Sequence, residues 1–126
     1  VGQAHKTQRR VRQIMDTLYA DTPDGLCGNE DCGQMSAWFV FSALGFYPVN
    51  PANGKYDLGI PLFPQMEIQL GMQKKFTVIA KNYSPDHAYV KSVSLNGTPL
   101  KDHFITHAQI MQGGILEFEL SEQPIK

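Results

Sequence analysis

The chain has 126 residues, with 11 Lys+Arg against 12 Asp+Glu, a formal net charge of −1. That balance leaves no dominant basic face and excludes nucleic-acid binding driven by the phosphate backbone. Hydrophobic residues at 42% and charged residues at 18% exclude a disordered chain. No apolar run reaches the roughly 18 residues of a membrane span.

In chain order, residues 5–20 come first. Val11, Ile14, Met15, Leu18 and Tyr19 form the stripe of an amphipathic helix, with Lys6, Arg9, Arg10, Arg12 and Gln13 mostly around its other sides. Asp21-Thr22-Pro23-Asp24-Gly25 breaks that period with turn residues. A second helix is predicted over Gln34–Leu44, closed by Gly45. Met35, Ala37, Trp38, Phe39, Val40, Phe41, Ala43 and Leu44 cover nearly its whole circumference, so it needs burial on all sides. One partner helix cannot supply that, and neighbours from outside this chain are expected. The start at Val1-Gly2-Gln3 and a change of apolar period after about residue 48 give the same expectation, a piece of a longer protein.

From Pro48 onward the period is near two. Residues 66–70 and 76–80 alternate and read as a hairpin through Gly71–Lys75. Residues 90–95 run into Asn96-Gly97, a strong hairpin turn, before a strand near Pro99–Leu100. Thr106 is placed to cap a short helical turn that Gly113-Gly114 ends. The closing strand, 115–120, puts Ile115, Glu117 and Glu119 on one face and Leu116, Phe118 and Leu120 on the other. The expected fold class is α+β, two N-terminal helices followed by a small antiparallel β-sandwich. The expected division is residues 1–48, carrying the helices and an acidic loop, and residues 49–126, the β-rich segment.

The chemistry is concentrated between the helices. Positions 24–33 hold Asp24, Glu30 and Asp31, three glycines, Asn29, and the cysteines Cys27 and Cys32. The glycines let this loop turn sharply, and the start of the following helix favours a nearby anion. Asp31 and Asp24 also suit plain capping and turn roles. No Cys or His pair completes a zinc set beside Cys27 and Cys32, which remain free thiols or a short local bridge. A cysteine nucleophile needs a His partner that the sequence does not place. The spacing of Asp24, Asn29, Glu30 and Asp31 does not fit an EF-hand calcium loop. Trp38 is expected in packing and Lys6–Arg9 on a solvated helix face. Tyr47, Tyr56 and Phe63 are assigned to packing.

Residues 25–63, GLCGNEDCGQMSAWFVFSALGFYPVNPANGKYDLGIPLF, resemble the closing part of the catalytic domain in glycoside hydrolase family 92. The likeness extends upstream through KTQRRVRQIMDTLY and downstream through FTVIAKN, VKSVSLNG and ITHAQIMQGGILEFEL, essentially the whole chain. The family consists of calcium-dependent exo-acting α-mannosidases, with an N-terminal β-sandwich packed on an (α/α)6 barrel. The resemblance implies that residues 1–48 are the last barrel helices. It implies hydrolysis of terminal α-linked mannose, α-1,2 linkages foremost, with inversion, in which one carboxylic acid protonates the leaving oxygen and a carboxylate activates water opposite.

By that resemblance the general base falls on Asp31. Two positions earlier many members carry a second Asp, where this chain has Asn29, an amide that orients water without taking its proton. Glu30 is expected either to bond sugar hydroxyls or to be structural. The family's general acid and the groups that hold calcium against the mannose O2 and O3 lie upstream of this chain. The chain alone is therefore expected to be inactive on mannosides. Expected partners are mannose-containing glycans and the rest of the parent polypeptide, and the expected location is secreted or periplasmic. A non-catalytic carbohydrate-binding or interdomain packing module is the competing expectation, and a structural fragment with no ligand the third.

Overall fold

The structure, a computed structural model, describes residues 2–125. Helix α1 (Ala4–Leu18) stops where Tyr19 turns extended, φ −125° and ψ 141°, and pairs with Leu26 across a single β-bridge. The helix rests on Met15, which is buried at 3% exposure. Arg12, placed by the sequence on a polar side, is buried as well, its Nε 2.9 Å from Asp16 Oδ2 one turn on. A long apolar stem makes that possible, since it packs while the charge finds a partner along the helix.

Helix α2 (Gln34–Leu44) has the predicted bounds. Gly45 ends it in left-handed backbone, φ 85°, and its N–H bonds the carbonyls of Phe41 and Ser42. This cap turns the chain at once into β1 (Phe46–Tyr47). Although α2 is apolar all round, only Ser42 and Ala43 are buried in this chain, and Val40 is 57% exposed. Phe63, expected in packing, stands 47% exposed and borders the same groove as Phe39 and Val40.

The remaining strands are β2 (Lys55–Leu58), β3 (Gln65–Gln69), β4 (Lys75–Lys81), β5 (Tyr89–Leu95), β6 (Thr98–Pro99), β7 (Phe104–Thr106) and β8 (Gly114–Ser121). They form a three-stranded sheet, β1-β2-β7, and a five-stranded sheet, β3-β4-β8-β5-β6. The α-then-β order is as expected, and so are the hairpins β3–β4 and β5–β6. In the larger sheet the β4–β8 ladder is parallel, Phe76 to Lys81 running beside Gly114 to Glu119, so that sheet is mixed. A parallel pair needs a crossover, and here residues 82–113 supply it.

The two sheets close on one core. Phe46 and Ile105 from the smaller sheet meet Phe76, Val78, Ala80, Leu116, Phe118 and Leu120 from the larger. In β8 the alternation read from sequence holds, with Leu116, Phe118 and Leu120 at 0–2% exposure and Ile115 at 44%. A register shift between Val90 and Ser92 keeps both Val90 and Val93 packed against that core although three positions separate them. Thr106 begins α3 (His107–Gln112) with a capping box, its hydroxyl accepting from Gln109 N–H while Gln109 Oε1 accepts from Thr106 N–H. No helix among the described residues is long and apolar enough to cross a membrane.

Candidate active site

The acidic loop is held at both ends. At its start Ala20 N–H bonds Gly25 O at 2.9 Å, and Gly25 N–H bonds Thr22 O at 2.9 Å. This closure demands glycine at position 25, where a Cβ would stand 1.8 Å from the Ala20 carbonyl oxygen. At its end Asp31 (φ 51°), Cys32 (φ 59°) and Gly33 (φ 90°) are three consecutive residues in left-handed backbone. Such a run is rare for side-chain-bearing residues, because the Cβ crowds the following carbonyl.

What stabilises that turn is the N-terminus of α2. Gly33 occupies its N-cap position and has no side chain with which to cap. Glu30 does so instead, its Oε1 accepting from Ser36 N–H at 3.1 Å, while its backbone carbonyl accepts from Met35 N–H at 3.2 Å. Oε2 of the same carboxylate is shut off from solvent and has no hydrogen-bond partner among the described residues. Tyr19 lies beside it, bonds Met35 O through its hydroxyl at 3.2 Å, and stacks on Trp38 with ring centroids 5.7 Å apart. Burial, then the nearby Glu30 carboxylate and Cys27 thiol, raise the Tyr19 phenol above its ordinary value.

Of the sequence-predicted site residues, Asp31 and Asn29 are exposed and make no side-chain hydrogen bond among the described residues. Both are free to meet a ligand or a water. Glu30 is only part-exposed and engaged with α2. Cys27 and Cys32 are exposed free thiols. Among the described residues no histidine bonds either cysteine: His87 Nδ1 donates to Asn82 O at 2.5 Å, and His107 pairs with Tyr56 at 3.2 Å. Trp38 serves packing through Tyr19, a residue the sequence placed only in the stripe of α1.

No group of three His, Cys, Asp or Glu side chains that could hold a metal ion occurs among the described residues. A calcium ion needs six or more oxygen ligands, and the one carboxylate here with a buried free oxygen already serves α2. The described residues do not by themselves fit that ion.

The family model for the glycosyl hydrolase family 92 catalytic domain matches residues 1–122. The chain belongs to glycoside hydrolase family 92. Among solved structures this family 92 chain is similar to an inverting mannosidase of the family from Bacteroides thetaiotaomicron VPI-5482, at 42% identity and TM-score 0.90 over 98% of the chain. It is also similar to an α-mannosidase from Bacteroides thetaiotaomicron solved with mannoimidazole, at 38% identity and TM-score 0.91 over 97% of the chain. A secreted glycosidase of uncharacterised activity from Arthroderma benhamiae is 28% identical across 97% of it. The chain spans only 16–17% of the length of these relatives. The match to the mannosidases extends over all three helices and both sheets, so the α+β arrangement is that of the corresponding part of those enzymes.

Proposed function

We propose that this chain is the C-terminal part of an α-mannosidase and that its acidic loop contributes the general base. The observation that carries the proposal is Asp31: a carboxylate exposed, without internal partners, and fixed in left-handed backbone immediately before α2 in a family 92 chain. Backbone strain of this kind at a loop carboxylate is a pointer to function, because it persists only where the surroundings impose it. In this reading Asp31 takes the proton of the attacking water. Asn29, two residues earlier, orients that water through its amide and cannot share the proton. Attack opposite the leaving oxygen then gives inversion, as in the Bacteroides thetaiotaomicron relative described as inverting.

The acid that protonates the leaving oxygen, and the ligands of calcium, belong to residues outside this chain, as does most of the sugar subsite. Residues 1–48 are assigned to the end of the helical barrel and 49–126 to the β segment after it. The substrate is a terminal α-linked mannose of a glycan, α-1,2 linkages first among candidates, and the complete protein is assigned to the secreted or periplasmic space. These 126 residues alone are expected to release no mannose.

The test is mannose release from α-1,2-mannobiose by a full-length chain containing this segment, against the same chain with Asp31→Ala. Loss of a general base should lower kcat by about 10²–10⁴-fold with the fold intact. A near-normal rate in the variant removes Asp31 from the base role.

A further inference from the structure

We infer that Glu30 is a positioning residue, a latch that holds Asp31 in its left-handed conformation by capping α2 across the turn between them. The inference rests on the reading of Asp31 as the base and adds to it how the base is aimed. Helix α2 begins at Gln34, so Ser36 is its third residue and the usual receiver of an N-cap side chain. The N-cap residue, Gly33, supplies none. The oxygen that reaches Ser36 N–H, at 3.1 Å, comes from three residues further back and has to pass over Asp31, Cys32 and Gly33. It does so only because those three turn left-handed, at φ 51°, 59° and 90°. Cap and turn therefore require each other.

Two non-glycine residues, Asp31 and Cys32, hold left-handed backbone, where the Cβ crowds the following carbonyl oxygen. Against that stand the Ser36 N–H to Glu30 Oε1 bond and the backbone bonds Met35 N–H to Glu30 O at 3.2 Å and Gln34 N–H to Asp31 O at 3.3 Å. The two backbone bonds are long, which leaves the charged cap as the strongest member of the set. Removing it frees Asp31 to relax toward ordinary backbone and swing its carboxylate off the water. The competing role, a hydrogen bond from Glu30 to a sugar hydroxyl, meets an obstacle here. Oε1 is occupied by Ser36, and Oε2 is closed to solvent.

The experiment measures kcat and KM for α-1,2-mannobiose in a full-length chain containing this segment, for Glu30→Ala, Glu30→Asp and Glu30→Gln, with Asp31→Asn alongside. Gln keeps the reach and the acceptor, whereas Asp keeps the charge but withdraws the oxygen by about 1.5 Å. The latch requires kcat to fall at least tenfold in Ala and Asp with KM within twofold of the parent, and Gln to restore kcat to within a few-fold. If Ala does not fold, the Asp and Gln pair carries the same contrast. A raised KM with kcat kept, in Ala and Gln alike, makes Glu30 a sugar contact and overturns the latch. Loss of stability with unchanged kcat per folded molecule overturns it as well. An active Asp31→Asn variant defeats the base reading itself, whereas an inactive Asp31→Asn with unaffected Glu30 variants defeats the latch alone.

Discussion

Replacing Gly45 by alanine should lower the unfolding free energy of this chain by about 2–5 kcal/mol, against about 1–2 kcal/mol for the same change at Gly54. Both glycines hold left-handed backbone, φ 85° and 63°. A Cβ at Gly54 meets nothing within 4 Å, so only the conformational cost applies there. At Gly45 the added Cβ lies 2.9 Å from Pro61 N, 3.0 Å from Pro61 Cδ and 3.2 Å from Phe118 Cζ. Pro61 and Phe118 are both fully buried, so neither can move aside into solvent. Relief has to come from the backbone, where Gly59 N–H to Gly45 O at 2.8 Å and Leu62 N–H to Ala43 O at 2.9 Å tie the segment to the end of α2. Overpacking of this kind costs about 1–3 kcal/mol beyond the conformational share. Urea unfolding followed by circular dichroism and by fluorescence of the single Trp38 reads both variants at once. Coincident transitions license the comparison. Equal losses in the two variants would refute the steric argument, and a smaller loss at Gly45 would reverse it.

Thr106→Ala should cost about 1 kcal/mol by removing one arm of the capping box at α3, with faster amide exchange at Gln109 as the local signature. Because the Tyr19 phenol is raised, the folded state holds that proton more tightly than the unfolded one. Its stabilising share is complete below the ordinary tyrosine range and is lost as pH climbs above it. Urea midpoints taken from neutral pH to about pH 11 should therefore fall less steeply in Tyr19→Phe than in the parent. Parallel alkaline slopes would contradict the assignment.

Elements whose signal is local were legible in the sequence. The bounds of α2, its Gly45 cap, the Asn96-Gly97 turn and the Thr106 cap each rest on a few adjacent residues whose backbone chemistry has one good solution. Strands β1, β2 and β7 were not anticipated, because two to four residues carry no period. They exist through pairing with each other, Phe46 with Leu58 and Tyr56 with Ile105. The parallel ladder was hidden for a similar reason, since alternation in β4 and β8 says which face is buried and nothing of direction. In the loop, the sequence drew attention to Asn29, Glu30 and Asp31. It did not disclose that the Glu30 carboxylate turns toward α2, nor that the Tyr19 hydroxyl reaches the Met35 carbonyl, because both depend on a left-handed turn that Asp31 and Cys32 do not advertise.

The strand at the centre of the larger sheet is also the last of that sheet's strands in chain order. β8 lies between β4 and β5, and without it the two hairpins share no edge. During synthesis the β3–β4 and β5–β6 pairs thus wait, with Phe76, Val78 and Ala80 uncovered on one side, until residues 114–121 leave the ribosome. The sheet cannot be assembled progressively from its N-terminal end. A chain interrupted before residue 114 would lose Leu116, Phe118 and Leu120 together and with them the strand that joins the halves of the sheet. Emergence of residues 114–121 is in this sense the folding trigger for the larger sheet, and a stop before them would leave open the edges of β4 and β5 that β8 otherwise covers.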